Sequence, residues 1–195
     1  MGSSPIRPTA EPAVAWLPGA LRSETSSAKE RTPVTSTRAR VYTAGPAVFF
    51  PDLADRITAS HRNAAAHGLE AIVPGDVLDR PAGFPSSPTM RDIYQLNVDR
   101  LLRSDAVVAD LTPFRGPSAD AGTVWEIGFA IALGKPVFGY TSDTREYREK
   151  VTPDGLRIED HGVIDNLMIS ASVESVVADQ HEAMAAVADW WRSRG

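Results

Sequence analysis

Apolar positions along the chain fall into short runs that alternate with longer stretches of helical spacing. Ala39-Arg40-Val41-Tyr42-Thr43-Ala44 reads as a strand, broken by Gly45-Pro46. Pro51-Asp52 starts a helix to about His67, with Gly68 as its stop. Leu69 to Val73 is a second strand, and residues 75–88, with repeated Gly and Pro, form a long loop of the kind that serves as a lid or binding loop. Thr89 caps a helix over Met90 to Arg103, whose Ile93, Leu96, Leu101 and Leu102 fit one side. Ala106 to Ala109 is a third strand that stops at Asp110. Past Pro113, Gly116, Pro117 and Asp120, Gly122-Thr123 opens an apolar helix. Val137 to Tyr140 is a fourth strand, and Thr141 to Arg157 is irregular with one short helix. Asn166-Leu167-Met168-Ile169 is a fifth strand, and Ser172 caps a last helix from Val173 to about Trp191.

Strands alternating with helices imply right-handed crossovers and a parallel sheet covered on both faces. The expectation is an α/β protein with a flavodoxin-like three-layer fold and a five-stranded parallel sheet. Residues 1–37, rich in Pro, Ser, Thr, Ala and Arg without periodicity, read as a flexible N-terminal tail. Residues 38–195 form a single domain.

Composition narrows the function. Hydrophobic content of 43% and charged content of 23% are those of a globular protein. A formal net charge of -5 leaves no electrostatic footprint for nucleic acid or anionic membrane. Cysteine is absent, which removes disulfides and thiol chemistry and fits a cytoplasmic protein. His61, His67, His161 and His181 show no HExxH-like spacing, so no metal site is expected. No GxGxxG follows the first strand and no P-loop is present, so no cofactor is expected either.

The chemistry concentrates between Val107 and Phe129. A strand ending in Asp110, a Gly/Pro loop, Asp120 and a helix start is the layout of a ligand site at the carboxyl edge of an open sheet. Within that helix Val124, Ile127, Gly128 and Ile131 share one face, and Phe129, Ala130 and Leu133 accompany Glu126 on the other. The helix is apolar nearly all round and is expected to be buried. A carboxylate there needs a partner or a task.

Several pieces, kept in order, resemble the nucleoside 2-deoxyribosyltransferase family. Val41-Tyr42-Thr43-Ala44-Gly45-Pro46 with Phe49-Phe50-Pro51 resembles the family's opening. Ala109 to Pro117, Asp120-Ala121-Gly122-Thr123 and Glu126-Ile127-Gly128 resemble its catalytic core. Asn166-Leu167-Met168 resembles a late segment that helps close the pocket. The resemblance implies an enzyme that cleaves the N-glycosidic bond of a 2′-deoxynucleoside and passes the deoxyribosyl group to a free nucleobase. It implies Glu126 as nucleophile, Asp110 in proton transfer at the base, Asp120 holding the sugar and Tyr42 orienting the nucleophile. It implies Gly45, Pro46, Phe50 and Gly122 as further substrate-binding positions. Asn166 and Met168 would complete a neighbour's site in a homodimer or higher homo-oligomer.

The chemistry asks for such residues independently: an oxocarbenium-like state is stabilised, and can be trapped, by a nearby carboxylate. Plainer readings stand beside these. Asp110 can cap its loop, Asp120 can be an ordinary N-cap, Tyr42 a core aromatic, Phe50 a packing residue and Asn166 a turn residue. The alternatives for function are a nucleosidase or deoxynucleoside monophosphate N-glycosidase using water, or a non-catalytic nucleotide-sensing domain.

Overall fold

The structure, a computed structural model, describes residues 38–194; the tail expected over residues 1–37 lies outside the described residues. Five strands, β1 (Arg40–Ala44), β2 (Glu70–Ile72), β3 (Ala106–Asp110), β4 (Val137–Tyr140) and β5 (Ser175–Val177), form one sheet in the order β2-β1-β3-β4-β5. Every pairing is parallel. The order and the strictly parallel pairing are those expected of a flavodoxin-like fold. No helix among the described residues is long and apolar enough to cross a membrane.

Alternation along the central strands sorts the core into two layers. Val41, Ala106, Val108 and Phe138 pack on one face against Ala64 of α1 (Leu53–Ala66) and Ala183, Met184, Val187 and Ala188 of α6 (Gln180–Arg192). Tyr42, Ala44, Val107, Ala109 and Val137 pack on the other. They meet Leu101 of α2 (Met90–Arg103), Ile127 and Ala130 of α3 (Ala121–Ala132), and Ile169 of α5 (Leu167–Ser170). Strands buried on both faces explain the unbroken apolar run Ala106 to Ala109.

Local chemistry sets the boundaries. Thr89 caps α2 in a reciprocal box: its Oγ1 accepts from Asp92 N at 3.3 Å, and Asp92 Oδ2 accepts from Thr89 N at 2.8 Å. The long loop before α2 is irregular, as expected, yet well anchored. Arg100, only 2% exposed, donates from Nε to Asp79 at 2.9 Å and from Nη2 to the Asp76 carbonyl at 2.9 Å. Arg103 also pairs with Asp79. A short helix, α4 (Tyr147–Lys150), interrupts the irregular stretch after β4.

The carboxyl-terminal part departs from expectation. Asn166 to Ile169 is not the fifth strand; Asn166 Oδ1 accepts from Met168 N at 3.0 Å and caps the single-turn helix α5. The fifth strand is Ser175–Val177, inside the segment expected to be helical. The last helix begins later, capped by Asp179, whose Oδ1 accepts from Glu182 N at 2.9 Å. A short apolar run fits a strand or one helical turn equally, and here the Asn side chain decided it.

Among the described glycines, Gly139 leaves the least room for a side chain. A Cβ there would lie 2.7 Å from Leu111 Cδ1, and Leu111 is itself 0% exposed with no room to retreat. Gly139→Ala is expected to cost about 1–3 kcal/mol through overpacking. Urea unfolding would report it as a lower midpoint at constant m; an unchanged midpoint would mean that Leu111 relocates freely.

Candidate active site

β1 lies between β2 and β3, so the chain changes direction across the sheet at the β1–β3 boundary. Crevices of open α/β sheets form at such a switch, outside the carboxyl ends of the strands. Here those ends are Ala44-Gly45 and Asp110, and α3 starts close behind.

On the α2–α3 side the organising contact joins strand to helix. Tyr42, 0% exposed, donates its phenolic proton to Glu126 Oε1 at 2.5 Å. Burial pushes the Glu126 carboxyl up; the Tyr42 hydrogen bond opposes this, the charge of Asp120 adds to it, and the result is about 7. Tyr42 is itself held well above its ordinary value, first by burial and then by the Glu126 charge. The phenol therefore stays a neutral donor.

Asp120 is the N-cap of α3, so the plainer reading of that residue is realised. Its Oδ2 accepts from Gly122 N at 3.0 Å and Thr123 N at 3.2 Å. The folded-back carboxylate explains Gly122, where a Cβ would sit 2.9 Å from Asp120 Oδ2.

Asp110 faces the other way. Its Cα partner is Tyr140 of β4, and both follow the alternation that faces α1 and α6. Its Oδ1 accepts from Thr112 N at 2.9 Å. Two cavities of ≈ 400 Å³ and ≈ 390 Å³ share Arg56, Asp110, Tyr140 and Asp179 in their walls. Gly45, Ser60, Asn63 and Gln180 also line the first, and Pro46, Phe50 and Phe114 the second. A Cβ on Gly45 would lie 3.1 Å from Asp110 Cβ, so a side chain at Gly45 would crowd this acid. The Arg56 guanidinium sits 4.0 Å over the Phe50 ring, and Phe49 stacks on Phe114 at 5.4 Å. Asp120 therefore lies near enough to Glu126 for their charges to interact, whereas Asp110 is on the opposite face, in cavities that neither Glu126 nor Asp120 lines.

The Glu126 helix is less enclosed than its sequence suggests. Thr123, Ile127 and Ala130 are buried, whereas Trp125 (44% exposed) and Ile131 (39%) look outward. Trp125 stacks on Phe129 at 5.1 Å and meets the edge of Tyr94 at 5.5 Å. Beside this face, Val124, Gly128 and Ile131 line an apolar depression with Asn166 and Met168. Asn166 does not reach Glu126 in its own chain: its Nδ2 donates to Glu159 Oε1 at 2.8 Å while its Oδ1 caps α5. Met168 is 71% exposed.

Asp165, which the sequence reading passed over, ties these parts together. It is 0% exposed and accepts from Ala119 N at 2.9 Å, Asn166 N at 2.7 Å and the Ser118 hydroxyl. One carboxylate thus fixes the loop before Asp120 and the turn at Asn166. Arg56 and Tyr140 were missed too; the only signal for Tyr140 was its place at the end of the strand beside Asp110.

Two outcomes follow from these geometries. Asp165→Ala strands one buried and two partly buried donors and should cost about 3 kcal/mol, seen as a lower urea midpoint. Asp165→Asn, which keeps acceptor capacity, should cost less; equal losses would mean that volume rather than hydrogen bonding matters. The second concerns pH. Since folding raises the Glu126 pKa from 4.5 to about 7, its neutral form is favoured in the native state. Stability is full below the unfolded value and falls as pH rises through that window, by about 3 kcal/mol. Glu126→Gln should remove this fall, so the variant gains on the parent between pH 5 and pH 8. A stability difference that is constant with pH would show that Glu126 ionises as it does in the unfolded chain.

Comparison with known proteins bears on what this edge belongs to. The family model described as nucleoside 2-deoxyribosyltransferase matches residues 41–168. A 2-desoxiribosyltransferase from Leishmania mexicana is 31% identical with a TM-score of 0.67, over 77% of this chain and 97% of that one. A 2-deoxyribosyltransferase from Bacillus psychrosaccharolyticus is 19% identical with a TM-score of 0.51, over 75% and 90% of the two chains, a likeness of fold. An uncharacterized protein of Schizosaccharomyces pombe is 35% identical over 115 residues, 57% of this chain and 54% of that protein. The chain thus spans about half the length of that curated relative. With the match running from the strand that carries Tyr42 to the turn that carries Met168, the chain belongs to the nucleoside 2-deoxyribosyltransferase family.

Proposed function

We propose that the protein cleaves the N-glycosidic bond of 2′-deoxynucleosides and moves the deoxyribosyl group to another nucleobase through a covalent Glu126 intermediate. The observation that carries this reading is the partly buried Glu126 carboxylate, held by Tyr42 at 2.5 Å and pushed up to about 7 by loss of solvent. A carboxylate of raised pKa, freed from bulk water, is a competent nucleophile close to neutrality.

In the first step a Glu126 oxygen attacks C1′ and the electron pair of the C1′–N bond leaves with the base. The protonated Asp110 carboxyl gives its proton to the departing base nitrogen and becomes a carboxylate. In the second step a nitrogen of the incoming base attacks C1′, the Glu126 ester bond breaks, and Asp110 takes up the proton. Two displacements at one carbon retain the β configuration. Asp120, whose two backbone bonds both fall on Oδ2, offers Oδ1 to a sugar hydroxyl. The sugar then lies toward α3 and the base toward the Asp110 cavities, with Gly45 and Pro46 at the rim and Phe50 as an apolar wall.

The assembly is a homodimer or higher homo-oligomer in this reading. The outward strip of Tyr94, Trp125, Ile131 and Met168 is the surface to be covered, and a neighbour's Asn166 and Met168 complete the site.

Incubation with deoxyuridine and free adenine tests the activity: deoxyadenosine is expected, whereas free deoxyribose alone would make the protein a hydrolase, and no chemistry would favour a sensor. Glu126→Ala should lose transfer and hydrolysis together by roughly 10³-fold or more. A 2-fluoro-2-deoxyribosyl substrate should leave an adduct on Glu126; an adduct mapped to Asp110 or Asp120 would overturn the assignment. Activity should rise with pH through about 7 as Glu126 ionises. Asp110→Asn should lose on the order of 10²–10⁴ in rate with poor leaving bases and far less with acidic ones. Mixed Glu126→Ala and Asn166→Ala chains should regain activity together, and a fully active monomer in sedimentation would rule out the shared site.

A further inference from the structure

The segment after β1 fixes a guanidinium at the Asp110 chamber by short-range contacts alone. Phe50 closes the turn that follows the strand, Asp52 takes the N-cap position of α1, and Arg56 stands one turn further on. Arg56 Nε donates to Asp52 Oδ1 at 2.8 Å, and the guanidinium carbon lies 4.0 Å from the centre of the Phe50 ring. An ion pair and an aromatic ring thus hold the group from two directions. Among the described residues no acceptor takes the hydrogens of Nη1 or Nη2. The side chain that carries these unused donors borders both the ≈ 400 Å³ and the ≈ 390 Å³ cavity at Asp110.

The chamber combines apolar walls with a charged edge of two kinds. Pro46, Phe50, Pro113 and Phe114 border the second cavity and suit a planar ring. Among the charged side chains there, Arg56 supplies donors, while Asp110 and Asp179 supply acceptors. Asp110 Oδ1 is taken by Thr112 N, and in the proposed transfer this acid serves the departing nitrogen. Asp179 caps α6 through Oδ1, which accepts from Glu182 N at 2.9 Å, and its Oδ2 is left for a ligand.

We propose that Arg56 is a specificity-determining residue of the base site and selects 6-oxopurines over 6-aminopurines, its Nη groups donating to O6 while Asp179 Oδ2 accepts from N1–H. This rests on the base occupying the Asp110 chamber. A 6-oxopurine carries an acceptor and a donor side by side, O6 and N1–H, and the chamber answers with a donor and an acceptor. Adenine presents the reverse pair, an N6 amino group and a bare N1. It sets donor against guanidinium and lone pair against carboxylate, so both protein groups lose water without gaining a partner. The guanidinium suits this task because it is always charged and its fork is rigid. Adenine remains an acceptor base, but the poorer one.

Calorimetric titration with free hypoxanthine and free adenine reads the contact without any turnover. The parent should bind hypoxanthine about tenfold more tightly, or better. Arg56→Met keeps a long apolar stem against Phe50 and should bring the two affinities to within about twofold, by weakening hypoxanthine. Asp179→Asn keeps a capping oxygen, puts an amide donor where Oδ2 was, and should shift the ratio toward adenine. It serves alone if Arg56→Met does not fold. Equal binding of both bases by the parent would overturn the proposal, and so would variants that weaken both bases by one factor, since Arg56 would then only shape the chamber. Competition of the two bases for a deoxyuridine donor gives the same ratio as kcat/KM. If the preference appears in binding and no deoxyribosyl transfer occurs, the proposed reaction falls and the recognition stands. Robust exchange with a ratio that Arg56→Met leaves unchanged keeps the reaction and removes the recognition. Neither binding nor exchange would remove both.

Discussion

A phenol and a carboxylate, joined where a strand meets a helix, govern the arrangement of this protein. Burying Glu126 disfavours its charge, and nothing else in the Glu126 surroundings offsets that as directly as the Tyr42 hydroxyl. For the bond to exist, β1 must be a central strand with Tyr42 on its α2–α3 face. The helix must also enter at an angle that brings Glu126 down onto the ring. Asp120 and Gly122 set that angle through the cap, and Asp165 fixes the loop that delivers them. Holding the Glu126 carboxyl at about 7 means, by linkage, that this group contributes less stability as pH rises toward neutrality.

Most of the frame was legible because it depends on local rules. Gly45-Pro46, Gly68 and Pro74-Gly75 mark ends that the backbone respects. Thr89 caps as its spacing with Asp92 demands, and the buried apolar runs leave the chain no alternative to a parallel sheet. Glu126 stood out for the same reason: a lone acid among Ile127, Phe129 and Ala130 contradicts its neighbours. Asp110 stood out because it ends a strand.

What could not be read depended on partners distant in sequence. Leu167-Met168-Ile169 has no intrinsic reason to be a helical turn rather than a strand; the Asn166 cap and the pull of Glu159 on the Leu167 amide settle it. The strand Ser175–Val177 is three residues long, too short for alternation to register. Trp125 and Ile131 look like core positions until the other helices leave that face uncovered. Gln180 meets Asn63 and Ser60 only once α6 has docked on α1. Sequence distance hides such links, since a hydrogen bond between residues more than a hundred positions apart leaves no periodic trace.

The sheet itself has a consequence for how this scaffold can change. Side chains of successive residues leave a strand on opposite faces, so Tyr42 and Asp110 answer to different helices: one to α3, the other to α1 and α6. Substitutions on α1 or at the start of α6 reshape the chamber around Asp110 without passing through the layer that holds Glu126. Substitutions on α3 do the reverse. A fold partitioned in this way lets the chamber beside α1 and α6 change shape while the Tyr42–Glu126 contact on the other face is kept.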